Sequence, residues 1–302
     1  MIKYSGRNSF EKFFSDQMEK EGIDVLDEDI MYPNPSDSRL LKIRKIFDLW
    51  KYKKIINEYT NIIIFADGRL PVILTYYLKN RNSRLIIWRW NSIGKVDKAF
   101  DKLKKYGEIW TFDEKDAELN SWKLNTQFYF KNKSLESNLV TLKKAYFVGD
   151  NKGREKILEK LYDILTRENV TCDFWVSNKK GNSSAIKNIE DFISYEDIIH
   201  EVNRHSILVD LVKNGQTGMT IRTMESLFYG KKLLTNNKAL KEADFYDSNN
   251  IFIINEESID NIKDFLTRDY KIINSSIIDK YTFKCWLHMN LQRKPCIGGW
   301  TR

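Results

Sequence analysis

Short apolar runs rich in Ile, Val, Phe and Trp recur along this chain in two blocks, each run closed by a polar turn and followed by an amphipathic stretch. No other feature constrains the fold as much, because strands that alternate with helical stretches pair in parallel and need helices over the sheet. In the first block the strand-like runs are 61–66, 84–90 and 108–112. Helical stretches are expected at 71–78, 96–106 and 113–119, and a last short strand at 127–130. Ahead of them, 9–21 reads as a helix, 22–26 as an edge strand and 32–37 as a loop. In the second block 145–149, 170–176, 207–212 and 251–254 read as strands. One helix there places Ile157, Leu161, Ile164 and Leu165 on a single face, and another opens with the capping-box spacing of Ser194 and Asp197. Two more are expected from about 256 to 266 and from 280 to 291.

The length of 302 residues suffices for two domains with separate cores. The expected fold class is α/β, with Rossmann-like domains at 1–135 and 143–275, a polar linker at 131–142, and a C-terminal helix and tail (276–302) that crosses back. Ligands of open parallel sheets bind beyond the carboxyl ends of the strands, so a cleft faced by two such sheets is the expected site.

Composition narrows the function classes. Hydrophobic residues at 42% and aromatic residues at 13% describe a globular protein. No apolar run approaches the ~20 residues that span a bilayer. The N-terminal segment lacks the apolar core of a secretory signal. A cytoplasmic protein is expected, with peripheral contact at the inner face of the cell membrane. Cys172, Cys285 and Cys296 are odd in number and widely spaced, as reduced thiols are. His200, His205 and His288 form no zinc or nucleophile pattern, so no metal or other cofactor is expected. Fifty basic against 42 acidic residues give +8. Nucleic acid, an anionic membrane face or phosphorylated small molecules would each suit that charge. The lysines are scattered among acids and no nucleic-acid motif accompanies them, so most read as solvated faces. The oligomeric state is not legible.

Residues 216–237 carry the densest chemical signal. They read as a tight turn, a short helix and a new strand, with Gly218 freeing the turn and Thr217 or Thr220 capping the helix. Ile221, Met224 and Leu227 fall on one face, leaving Arg222 and Glu225 side by side on another. A helix start with an arginine one residue in is a ready phosphate site, and Glu225 can accept hydrogen bonds from a sugar hydroxyl. An intrahelical Arg222–Glu225 pair accounts for the same residues equally well.

The string Gln216-Thr-Gly-Met-Thr-x-Arg-x-x-Glu225, followed by Gly230-Lys-Lys-Leu-Leu-Thr-Asn-Asn237, resembles the donor-binding segment of bacterial GT-B glycosyltransferases, in particular those of capsule, lipopolysaccharide and exopolysaccharide synthesis. The resemblance implies that Thr217, Gly218, Met219, Thr220, Arg222 and Glu225 hold a nucleotide-sugar, with backbone amides at the diphosphate and Glu225 at the ribose. It covers roughly residues 146–254, and the first domain only in architecture. Many retaining members carry two glutamates eight residues apart. Here Thr217 and Leu233 stand at those distances from Glu225, which leaves the stereochemistry open.

Three further sites follow. The loop Gly149-Asp-Asn-Lys-Gly-Arg154 ends a strand and opens a helix; Lys152 or Arg154 is expected at the donor diphosphate, with Gly149 allowing close approach. It lacks the Gly-Lys-Ser/Thr ending of a P-loop and the three glycines of a dinucleotide fingerprint, which disfavours a dehydrogenase. On the acceptor side, Asp67 is either the base that deprotonates an acceptor hydroxyl or a helix N-cap beside a solvated Arg69. Trp88 and Trp90, with Asn91, offer a platform for a sugar or simply share a packed face of the sheet. Asp113 and Asp116 mimic a metal-binding Asp-x-Asp at the wrong spacing and read as a solvated, acid-rich helix start. The expected activity is metal-independent transfer of a sugar, with a UDP-sugar as the expected donor, to a growing surface glycan or lipid-linked glycan. The alternative is a non-catalytic GT-B-like subunit that stabilises an active transferase.

Overall fold

The computed structural model describes residues 2–3, 9–26, 38–66, 68–131, 143–191, 193–254 and 261–292. The chain divides into two compact units, Met1–Asn125 with Leu287–Lys294 and Thr126–Trp286 with Pro295–Arg302. Each is built on one six-stranded, wholly parallel sheet.

In unit 1 the chain runs β1 (Ile2–Lys3), α1 (Ser9–Lys20), β2 (Val25–Leu26), α2 (Arg39–Asn57), β3 (Asn61–Phe65), α3 (Leu70–Leu78), β4 (Arg84–Arg89), α4 (Lys98–Asp101), β5 (Glu108–Thr111), α5 (Glu114–Asn120) and β6 (Lys123–Leu124). The strand order is β2-β1-β3-β4-β5-β6. Strands covered on both faces need apolar side chains on both, and β3 and β4 supply them as the unbroken buried runs 62–65 and 85–88. Ile62, Ile64, Leu85, Ile87 and Ile109 share one core with Tyr52 and Ile56 of α2 and Val72 of α3.

Unit 2 contains β7 (Lys144–Asp150), α6 (Glu155–Arg167), β8 (Thr171–Ser177), β9 (Lys187–Ile189), α7 (Tyr195–Arg204), β10 (Ile207–Asp210), α8 (Ile221–Tyr229), β11 (Lys232–Thr235), β12 (Ile251–Ile253), α9 (Ile262–Thr267), α10 (Ser275–Lys280) and α11 (Phe283–Gln292), whose last residues belong to unit 1. Its strand order is β12-β11-β10-β7-β8-β9. From β7 the chain builds outward through β8 and β9, then returns to β10 on the other side of β7. The direction of winding reverses between β7 and β10, the switch point at which open α/β sheets leave a crevice. Leu158, Leu161 and Leu165 of α6 pack on Phe147, Phe174 and Val209 of this sheet. Ser194 caps α7, its Oγ accepting from Asp197 N at 3.1 Å.

Several expectations need correction. Residues 96–106 form only the single turn of α4 and a 3₁₀ turn, Lys102–Lys105. Gly107 closes it because a Cβ there would lie 2.5 Å from Leu85 O. Gln127–Phe130 is no strand: it makes one bridge, Tyr129 to Thr282, and lies in unit 2. Its aromatic residues instead join a cluster in which Phe128 and Phe130 meet Phe283, and Phe128 also meets Trp286. The last helix, expected over 280–291, is present as α11; a short α10 precedes it, set off at the buried Tyr281, whose hydroxyl donates to Asp244 Oδ1 at 2.7 Å. Helix α2 and strand β9 were not anticipated. Residues 132–142, which hold most of the expected linker, lie outside the described residues, as do the 32–37 loop and Cys296.

Candidate functional site

The site is built at the carboxyl ends of β7 and β10. After β7 the chain makes a tight loop in which Lys152 (φ +41°) and Gly153 (φ +80°) both take left-handed conformations. Such a φ costs an L-residue about 1–2 kcal/mol, so Lys152 is held there by its surroundings. Asn151 N donates to Ser177 O at 3.0 Å and Gly153 N to Asn151 Oδ1 at 3.2 Å. Glu155, first residue of α6, ties this loop to the one after β8, accepting from Asn151 Nδ2 (2.5 Å), Lys180 N (2.7 Å) and Gly181 N (2.8 Å). Arg154 folds back so that Nη1 donates to Asp150 O at 3.1 Å and the guanidinium lies 5.9 Å from the Phe147 ring. A Cβ on Gly149 would touch Arg154 Nη1 at 3.4 Å, an ordinary contact, so the guanidinium packs directly against this residue.

After β10 the chain turns through Lys213–Gly218 and enters α8. Gly215, at φ +83°, carries the turn rather than Gly218. Thr220 is the N-cap: its Oγ1 accepts from Thr223 N at 3.1 Å and donates to Asp210 Oδ2 at 2.6 Å. Thr223 Oγ1 donates to the same carboxylate oxygen at 2.9 Å, so the buried end of β10 clamps the first turn of α8. Burial pushes the Asp210 carboxyl up, opposed by those two hydroxyls. The asparagines closing the 216–237 segment act as staples. Asn236 bonds both Val212 N (2.7 Å) and Val212 O (3.1 Å), and Asn237 Nδ2 donates to Thr217 O and Gly218 O at 3.2 Å. Gly230 takes the left-handed C-cap of α8 at φ +60°. Met219 is half-buried at the turn.

Three cations converge here. Lys152 is pushed below the ordinary lysine value by partial burial and by the like charges of Lys213 and Arg154; Asp150, 3.8 Å away, only partly offsets them. Lys213 was missed in the sequence, where it is one lysine among many; its signal was its place just past the end of β10. The N-terminal amides of a helix lack intrahelical partners, and the start of α8 adds its positive end to this region. Asp150 and Asp210 also act on Arg154, so three cations against two acids leave a net positive patch beside the helix start, which suits an anion.

Arg222 and Glu225 do not line that surface. Arg222 Nη1 lies 2.5 Å from Glu225 Oε2, with the side chains 12% and 1% exposed. Glu225 Oε1 accepts from Tyr195 OH at 2.7 Å, and Tyr195 OH is 3.0 Å from Tyr129 OH. The Arg222 guanidinium stands 5.4 Å over the Tyr146 ring. Both polar ends are turned into the unit, as in an intrahelical pair.

In unit 1 the acceptor-side residues separate. Asp67 lies outside the described residues, while Arg69 and Asn91 are exposed. Trp88 is fully buried against Phe112, so its ring faces are covered and it offers no platform. Trp90 is half-buried, packed edge-on against Phe14 and Phe65. Asp113 and Asp116 are buried rather than solvated. Asp113 caps α5 and accepts from Ser92 Oγ, while Asp116 accepts from Ile93 N and Gly94 N, so these acids fasten the loop after β4. Burial pushes the Asp116 carboxyl up despite those bonds. Among the described residues no three His, Cys, Asp or Glu side chains are gathered as a metal ion requires, and no helix is long and apolar enough to cross a membrane. The Cys172 thiol is pushed up to about 12 by burial and by Asp173, which makes it a packing residue rather than a nucleophile.

No protein-family model and no curated protein matches the sequence. The structure is similar to that of Anabaena Alr3699/HepE in complex with UDP and glucose, at a TM-score of 0.56 and 10% identity over 97% of both chains. It is also similar to an alpha-glucosyltransferase in complex with UDP and a 13-mer DNA, at a TM-score of 0.52 and 12% identity over 95% of this chain and 94% of that one. At such identities the likeness establishes the fold, a two-domain Rossmann-like GT-B architecture.

Proposed function

We propose that this chain is a glycosyltransferase that takes a sugar from a nucleoside-diphosphate donor, UDP-sugar in the first instance. The acceptor is a bacterial surface glycan, such as a capsule or lipopolysaccharide chain, or its lipid-linked precursor. One observation carries the reading: Lys152, Arg154 and Lys213 crowd the switch point of a parallel sheet beside the start of α8. Both similar structures were solved with UDP, which accords with a diphosphate as the anion.

In this reading the cations and the α8 amides take up the charge that develops on the leaving diphosphate as the glycosidic bond breaks. Glu155, Asn236 and Asn237 hold the loops in register for that task. The Arg222–Glu225 pair supports the site by fixing α8 from behind. Asp67, Arg69 and Asn91 are the acceptor-side candidates by their place after β3 and β4, with Asp67 as the base if the reaction inverts.

Calorimetric titration of the full chain with UDP, with and without EDTA, tests the donor site. Binding that is unchanged by EDTA is expected, and strict dependence on a divalent ion would overturn the metal-independent mechanism. A chain that binds UDP but neither hydrolyses nor transfers from UDP-sugars would instead be the non-catalytic partner of an active transferase.

A further inference from the structure

Helix α2 is apolar on two opposite sides. One side carries Tyr52 and Ile56 into the core of unit 1. The other presents Leu40, Ile43, Ile46, Phe47 and Trp50 to solvent, with Leu40 81%, Phe47 70% and Trp50 61% exposed. At 3.6 residues per turn these five side chains fall within an arc of about 120° and form one outward stripe. Folding alone gives no reason for five large apolar residues in a row along a solvent-facing helix. Of the other exposed large apolar residues of the described chain, Tyr76 and Tyr77 are neighbours on α3, while Val96, Leu119, Leu124 and Ile272 stand singly.

The charge on the same helix indicates what covers the stripe. Between Arg39 and Asn57 there are seven cations (Arg39, Lys42, Arg44, Lys45, Lys51, Lys53 and Lys54) against the single Asp48. Arg44 and Lys51 fall along one margin of the stripe and Lys53 along the other. Lys54 Nζ lies 4.3 Å over the Trp50 ring, its stem along the apolar face and its ammonium at the surface. Lys45 is buried on the core side and Lys42 is half-buried, which leaves five exposed cations, Arg39, Arg44, Lys51, Lys53 and Lys54, on or beside the stripe. A second copy of the chain would bring the same five to the contact and be repelled. A bilayer carrying anionic headgroups offers both an apolar boundary for the stripe and negative charge for its margins.

We propose that α2 is the element by which this protein docks on an anionic lipid surface. The helix lies in the plane of the interface, with Leu40, Ile43, Phe47 and Trp50 at the headgroup–acyl boundary and the flanking cations among the phosphates. The inference is independent of the transfer reaction and holds whatever the donor proves to be.

The test is co-sedimentation of the full chain with phosphatidylcholine vesicles, with and without phosphatidylglycerol, for the wild type and for F47S/W50S. Both positions are exposed, so the variant's melting temperature serves as the folding control. The wild type is expected to pellet with phosphatidylglycerol vesicles, and less so with phosphatidylcholine alone or at high salt. The variant is expected to lose about tenfold or more in partitioning for each large side chain removed. Failure to bind anionic vesicles, equal binding to neutral ones, or undiminished binding by the variant would each overturn the proposal. So would a wild-type dimer that F47S/W50S dissociates, which would give the stripe to a second copy. UDP titration of the same variant is expected to match the wild type, so failure of the lipid reading and failure of the donor reading are told apart.

Discussion

Glu225→Gln separates the two roles open to the most informative helix of the chain. The carboxylate is 1% exposed, 2.5 Å from Arg222 Nη1 and hydrogen-bonded by Tyr195 OH at 2.7 Å. The neutral amide keeps an acceptor for Tyr195 and removes the countercharge of a guanidinium that is 12% exposed. Removing one partner of a buried pair costs about 3–5 kcal/mol. The retained acceptor and the residual exposure of Arg222 place this case at the lower end, about 3 kcal/mol. For a unit of this size each kcal/mol moves the melting temperature by about 2–4 °C, so a drop of about 6–12 °C is expected by circular dichroism. Arg222→Met should cost a comparable amount, and the double variant should recover part of the loss, with a coupling of about 2 kcal/mol. UDP affinity measured well below the melting transition should change little. If Glu225→Gln melted with the wild type but no longer bound UDP, the buried-pair account would be wrong and the carboxylate would be a ligand contact.

Lys152→Ala and Lys213→Ala should each weaken UDP binding by about 1.5–3 kcal/mol, the worth of a charge-assisted hydrogen bond, and leave the melting temperature near that of the wild type. Lys152 is pushed down in the free protein by burial and like charges, and a bound diphosphate would push it back up. UDP binding should therefore take up protons as the pH rises towards the ordinary lysine range. Calorimetry in buffers of different ionisation enthalpy checks the sign, and Lys152→Ala should abolish the uptake. Asp67→Asn should lower turnover by about 10²–10⁴-fold with UDP affinity unchanged if Asp67 is the base; unchanged turnover at saturating donor would assign the proton to another group.

The parallel sheets were legible because strands buried on both faces read as unbroken apolar runs, as 62–65 and 85–88 do. The capping box at Ser194 was legible because its two residues sit at fixed spacing. Helix α2 escaped because apolar and basic residues occur on both its sides, which erases the single-face period that marks a helix. Gln127–Phe130 misled for the opposite reason: its aromatic residues answer to Phe283 and Trp286, more than 150 residues away. At the site, glycines and cations after β7 were readable by position. Lys213 gained its meaning only when the strand order set β10 beside β7. The direction in which Glu225 points depends on Tyr195, thirty residues earlier, and no local pattern could give it.

The sheets of this protein end in very short strands. Among the described residues unit 1 is bounded by two-residue β2 and β6, and unit 2 by three-residue β9 and β12. An outermost strand displays unpaired amides and carbonyls, and its length sets how firmly a foreign strand can add to it. Two or three residues offer too few ladder bonds to hold an incoming peptide or a neighbouring sheet. The four borders are therefore poor templates for cross-chain β pairing, and self-association of the native protein is directed to side-chain surfaces instead.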